Sequence, residues 1–257
     1  MFRDLDIWHN HFEYHAQHPR CVPAGLSDAL KPEERRLIAS SIATFQLGEQ
    51  SEGTALLQAA QRFAQAHETP ALGRITELFI REEQRHAALL RTFMEDHDIA
   101  LKQTDWTDFV FCCLRRFGGL ELRLYILITA ELIGNIYYRA LEVATGCQRL
   151  KVLCRTLVAD DLAHVGFESQ LLLALRARKP TAIQVGIRLL HRMFFTGAAC
   201  VVYLTHRAVL RSAGYGISSF LHACATQYAF YMEPPVTSPR IRPAASAPKW
   251  LRRGHSG

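Results

Sequence analysis

Two short patterns restrict this chain more than anything else in it: Glu83-Gln84-Arg85-His86 and Asp161-Leu162-Ala163-His164. On an α-helix, residues three apart lie only ~60° apart around the axis, so each carboxylate shares a face with its imidazole. One such pair on an exposed helix means little. Two of them, each preceded by a further carboxylate about one helical hairpin upstream, mean more. Glu49 stands 34 residues before Glu83, and Glu131 stands 30 residues before Asp161. Each interval holds a helix, a turn and half of a returning helix.

Glu131 makes the strongest single case. From Leu124 to Tyr138 it is the only charged residue in an otherwise almost wholly apolar stretch. A lone buried carboxylate is costly unless it is paired, protonated or bound to a cation. Four carboxylates and two imidazoles, from Glu49, Glu83, His86, Glu131, Asp161 and His164, predict a dinuclear metal centre inside a helical bundle. Glu52 competes with Glu49 for the first position, since it lies on the same face one turn later.

The punctuation of the chain is that of helices throughout. A short N-terminal helix is expected over about 2–17. Pro32, with Glu33 and Glu34 in the first turn, opens a long helix running to about His67. Thr69-Pro70 opens a second, to about Asp98. Gly118-Gly119 interrupts the chain before a third helix, which ends near Thr145, and Gly146 turns into a fourth from Gln148 to Lys179. Short turns make 32–67 with 70–98 and 119–145 with 148–179 antiparallel hairpins, joined by a crossover over 99–118. Two apolar helices follow, over 181–212 and 217–232. The fold class is therefore all-α: a ferritin-like four-helix bundle with one N-terminal and two additional C-terminal helices, in a single domain over 1–235.

Arg240, Arg242, Lys249, Arg252 and Arg253 carry most of the formal charge of +6, with no acid after Glu233. Residues 236–257 read as a solvated basic tail, with no nucleic-acid partner expected. Seven cysteines include no C-x-x-C pair, which argues against a disulfide framework or cysteine-rich metal site and for a reducing, cytoplasmic setting. The acidic start Met1-Phe2-Arg3-Asp4-Leu5-Asp6 does not read as a signal peptide. The longest apolar run, Phe194 to Leu204, is 11 residues against the roughly 20 that span a bilayer, so no transmembrane segment is expected. His11 and His15, in an N-terminal cluster with His9 and His18, read as surface residues.

Over Pro32 to Lys179 these motifs resemble the ferritin-like di-iron carboxylate superfamily, and locally the aldehyde-deformylating oxygenases. Gly48-Glu49-Gln50 is similar to that family's first-helix motif. Glu131 precedes Tyr138 by seven residues, as the family's third ligand precedes a tyrosine, and Asp160-Asp161-Leu162-Ala163-His164 is similar to its Asp-Glu-x-x-His. Asp161 departs from the pattern, being one methylene shorter than the usual Glu. Leu157 stands where arylamine N-oxygenases carry an extra His, and Gly134 where rubrerythrins carry an extra Glu. The resemblance implies two iron ions, with manganese as the substitute, and an oxidoreductase of monooxygenase type. Such an enzyme would use O2, a small apolar substrate and an external electron donor. Ferritin-like iron oxidation, storage or peroxide removal is the alternative. The helices beyond Lys179 suit a substrate pocket or a homodimer interface equally.

Overall fold

The computed structural model describes residues 5–50, 53–104 and 118–233, and those residues form α-helices without any strand. In chain order they are α1 (Leu5–Gln17), α2 (Pro32–Glu49), α3 (Thr54–Ala66), α4 (Pro70–Asp96), α5 (Leu120–Val143), α6 (Gln148–Ala177), α7 (Thr181–Ser212) and α8 (Ile217–Met232). The prolines and glycines act as expected. Pro32 and Pro70 sit in first turns, and Gly119 and Cys147 are the residues from which α5 and α6 start. The Gly146 N–H donates to Glu34 Oε1 at 3.0 Å, which ties the α5–α6 turn to the start of α2. Most of the expected crossover and the whole basic tail lie outside the described residues.

The first long helix needs correction. It is not continuous from Pro32 to His67 but ends at Glu49, and α3 starts anew at Thr54. Gly53 adopts a left-handed backbone (φ +67°), which an L side chain resists. A Cβ there would also meet the Ile80 side chain at 2.6 Å, so the bend brings α3 close against α4. The apolar spacing continues on both sides of the break, which hides it in the sequence. Its consequence is to leave Glu49 in the last turn of α2.

Helix α5 is buried on nearly all sides and packs antiparallel against α6, with α7, α8 and α3 completing the surround. One apolar cluster joins Trp8 and Phe12 of α1 to Phe79, Ile128, Leu132 and Phe167. A second joins Ile38 and Ile42 of α2 to Leu90, Tyr137, Leu141 and Leu157. Helix α7 runs unbroken through Thr196 and Gly197, so by length and composition alone it could cross a membrane, although its uninterrupted apolar run is short. One face, with Phe195, Ala199 and Tyr203, is buried in the protein, while Leu189, Leu190, Met193 and Leu204 stay exposed.

Candidate metal centre

The four helices of the two motif-bearing hairpins aim six side chains at one place. Glu49 comes from α2, Glu83 and His86 from α4, Glu131 from α5, and Asp161 and His164 from α6. His164 Nδ1 lies 3.0 Å from Glu83 Oε1 and 3.7 Å from Glu131 Oε1. His86 Nδ1 lies 3.5 Å from both Glu83 Oε1 and Asp161 Oδ1. The donor atoms fall into two overlapping sets: Glu49, Glu83 and His86 in one, and Glu83, Glu131, Asp161 and His164 in the other. Glu83 belongs to both. That is the arrangement in which two cations could share one carboxylate. Glu52, the competitor of Glu49, lies outside the described residues.

Whether the residues fit metal ions is tested by their unsatisfied atoms. His86 Nδ1, His164 Nδ1 and Glu83 Oε1 are buried and have no hydrogen-bond partner. Buried polar atoms are nearly always paired, so three orphans converging on one point require an explanation. Cations among them would satisfy all three. The electrostatics agree. Burial, and then the neighbouring Glu83, pushes the Glu131 carboxyl up to about 7. Burial and nearby carboxylates hold Glu49 and Asp161 well above the usual carboxylate range. Against the cost of burial, the two neighbouring imidazoles, His164 first and then His86, hold Glu83 well below that range. A cluster of acids that crowd one another in this way gains from a cation at its centre.

The outward nitrogens of both imidazoles are equally well placed. His86 Nε2 lies 3.2 Å from Asp160 Oδ2, and His164 Nε2 lies 3.0 Å from Glu82 Oε2. Each outer acid immediately precedes a candidate ligand on one helix and orients the imidazole of the other helix. An acceptor at Nε2 fixes that proton and leaves Nδ1 with its lone pair facing inward, the arrangement that metal-ligating histidines need. Sequence reasoning missed these two roles. The doublets Glu82-Glu83 and Asp160-Asp161 mark an extra acid beside each ligand but not the imidazole it meets, which lies on the opposite helix.

Helix α1 reinforces this outer layer, and the reading of His11 and His15 as surface residues is wrong. The His15 side chain is 10% exposed and lies 3.6 Å from Glu82 Oε1. His11 packs on it at 4.2 Å between ring centroids, and burial lowers the His11 pKa to about 4. Phe12 lies stacked near His164. Arg85 donates to Asp160 at 2.5 Å and to Glu82 at 3.1 Å, and Arg20 also pairs with Asp160. Those arginines already offset the outer acids. The group of His15, Glu82 and Asp160 is thus a support for the imidazoles and a poor place for a further cation.

Tyr138 O–H donates to Glu49 Oε1 at 2.5 Å, which holds the α2 carboxylate toward the cluster. Beside the carboxylates lies a cavity of about 140 Å³, walled by Phe45, Ile126, Leu127, Ala130, Val201 and Val202 and reaching Glu49, Glu83, Glu131 and Asp161. Helix α7 therefore contributes part of a pocket next to the candidate centre.

Glu168, one turn beyond His164 on α6, is fully buried, and neither carboxyl oxygen has a hydrogen-bond partner. Burial, and then Glu131, raises its pKa well above the usual range. An unsatisfied buried polar group costs about 1–3 kcal/mol. Glu168→Leu is therefore expected to stabilise the metal-free protein by an amount of that order, read as a higher urea midpoint. A lower midpoint would show that the carboxyl is satisfied after all.

Comparison of the chain with protein-family models, curated proteins and solved structures finds no match.

Proposed function

We propose that the cluster holds two iron ions and that the chain is a non-haem di-iron oxidoreductase, an oxygenase or oxidase acting on a small apolar molecule. The observation that carries this reading is the apolar cavity reaching the carboxylates. Enzyme sites are mostly apolar hollows with a few convergent polar groups, and this one has that form. The order of contributions, from α2, α4, α5 and α6, supports a ferritin-like bundle, in which facing helices each supply carboxylates or a carboxylate-x-x-His pair.

Four carboxylates offset the charge of two divalent ions, and a donor set of oxygen and imidazole nitrogen suits iron, with manganese next. Bound there, the ions would supply the redox chemistry that O2 activation needs. The protein's own part is positional. Glu83 sits where it could bridge, and Asp160 and Glu82 keep the imidazoles turned inward. Tyr138 fixes Glu49 by donating its O–H to that carboxylate. Phe45, Leu127 and Val202 exclude water from the side on which an organic molecule would lie. Electrons would come from an external donor.

Iron oxidation for storage would use the same ligands but has no need of an apolar pocket. Anaerobic titration with ferrous ions, followed by air, separates the two. Saturation at two irons per chain, with little further uptake, supports the enzyme reading. Accumulation of hundreds of irons per assembly would replace it with storage.

A further inference from the structure

A second cluster of donor atoms lies apart from the carboxylate centre. Asp28 belongs to the segment between α1 and α2, His97 directly follows α4, and Cys147 is the residue from which α6 starts. They are far apart in sequence, and one donor atom from each lies within 4.8 Å of the others. We propose that Asp28, His97 and Cys147 form a separate mononuclear site for a zinc-type divalent cation, with water as the fourth ligand.

The distances are those of tetrahedral coordination. Zinc bonds of about 2.3 Å to sulfur and about 2.0 Å to nitrogen and oxygen, at tetrahedral angles, separate nitrogen from oxygen by roughly 3.3 Å and sulfur from oxygen by roughly 3.5 Å. Here His97 Nε2 lies 3.1 Å from Asp28 Oδ1, and Cys147 Sγ lies 3.6 Å from the same oxygen. The His97 side chain is 8% exposed, yet its Nε2 makes no hydrogen bond. Asp28 Oδ1 is close enough, so the nitrogen must be misdirected for a hydrogen bond to it. A cation lying between the two atoms accounts for both the closeness and the misdirection.

The Cys147 thiol is buried, and its Sγ lies 3.6 Å from Asp28 Oδ1 and 3.9 Å from the Ser27 carbonyl oxygen. The other Asp28 oxygen, Oδ2, accepts from Arg149 at 2.7 Å, and Arg149 also reaches Asp96 at 2.7 Å. Such an outer partner orients a ligating carboxylate. Charge closes as well: one thiolate and one carboxylate balance a dication, and Arg149 balances Asp96. Asp28 and Arg149 line a groove beside residues 19–26 that opens to solvent, which gives a water ligand its route. A cation here would clamp the segment before α2 to the ends of α4 and α6, the two helices that carry the His motifs.

The carboxylate centre contains no cysteine, so a sulfur-to-cobalt charge-transfer band reports on this site alone. Full-length protein titrated with Co2+ is expected to develop that near-ultraviolet band with the intensity of one thiolate-bound ion per chain, reversed by added Zn2+. Cys147→Ser should abolish it, and Asp28→Asn should weaken Co2+ binding at least tenfold, each with an unchanged helical circular-dichroism signal. Cys154→Ser, at another buried cysteine, should keep the band. Glu83→Ala should keep it too, so failure of the di-iron reading remains distinguishable from failure of this one. Saturation without a thiolate band, or a band that survives Cys147→Ser, overturns the proposal.

Discussion

Glu83→Ala is expected to empty both positions of the carboxylate centre at once. Glu83 is the one residue common to the two sets of donor atoms, and its Oε1 is within 3.5 Å of both inward imidazole nitrogens. Loss of an outer partner of a metal ligand typically costs 10–100-fold in affinity, so loss of a shared ligand should cost more than about 100-fold at each position. Glu131→Ala makes the contrast. It removes a donor from the His164 side alone, so the dinuclear pair is lost while one ion stays. Metal analysis after desalting reads both variants. Two ions retained by Glu83→Ala would mean that the shared carboxylate has been misassigned.

Asp160→Ala should produce the largest loss of stability of any single change near the site. Asp160 is wholly buried and accepts from Arg85, Arg20 and His86 together. Removing one member of a buried ionic group leaves the others uncompensated, at a cost of about 3–5 kcal/mol. The damage should spread to Arg20 and the end of α1, because Arg85 also donates to the Arg20 carbonyl at 2.6 Å. Asp160→Asn, which keeps the shape and some acceptor capacity, should lose clearly less. Urea unfolding followed by circular dichroism measures both. A shift under about 1 kcal/mol for Asp160→Ala would show that the network is solvated and weak, as exposed pairs are.

Much of the helical order was legible because its markers are local. Pro32, Pro70, Pro180 and Gly146 act within a turn of themselves, and the prediction needed no tertiary knowledge. The end of α2 at Glu49 was not legible, because what forces it is the approach of Gly53 to Ile80 on another helix. The six candidate ligands could be named from spacing and from the isolation of Glu131. Glu82 and Asp160 could not be given their roles, since each serves the imidazole of the opposite helix and that depends on how α4 and α6 cross. His15 escaped for the same reason: α1 has no motif, and only docking reveals which of its histidines turn inward. Asp28, His97 and Cys147 show no spacing pattern at all, being joined only by the packing of a loop on two helix ends.

The proposed function stands on one dinuclear centre in the space between α2, α4, α5 and α6. Crystals of the protein loaded anaerobically with ferrous ions, measured at the iron absorption edge, test it most directly. Two anomalous peaks are expected, roughly 3.5–4 Å apart, the usual separation in two-metal sites. One should lie among Glu49, Glu83 and His86, and the other among Glu83, Glu131, Asp161 and His164. No peak among these residues, or iron bound only elsewhere on the chain, would contradict it.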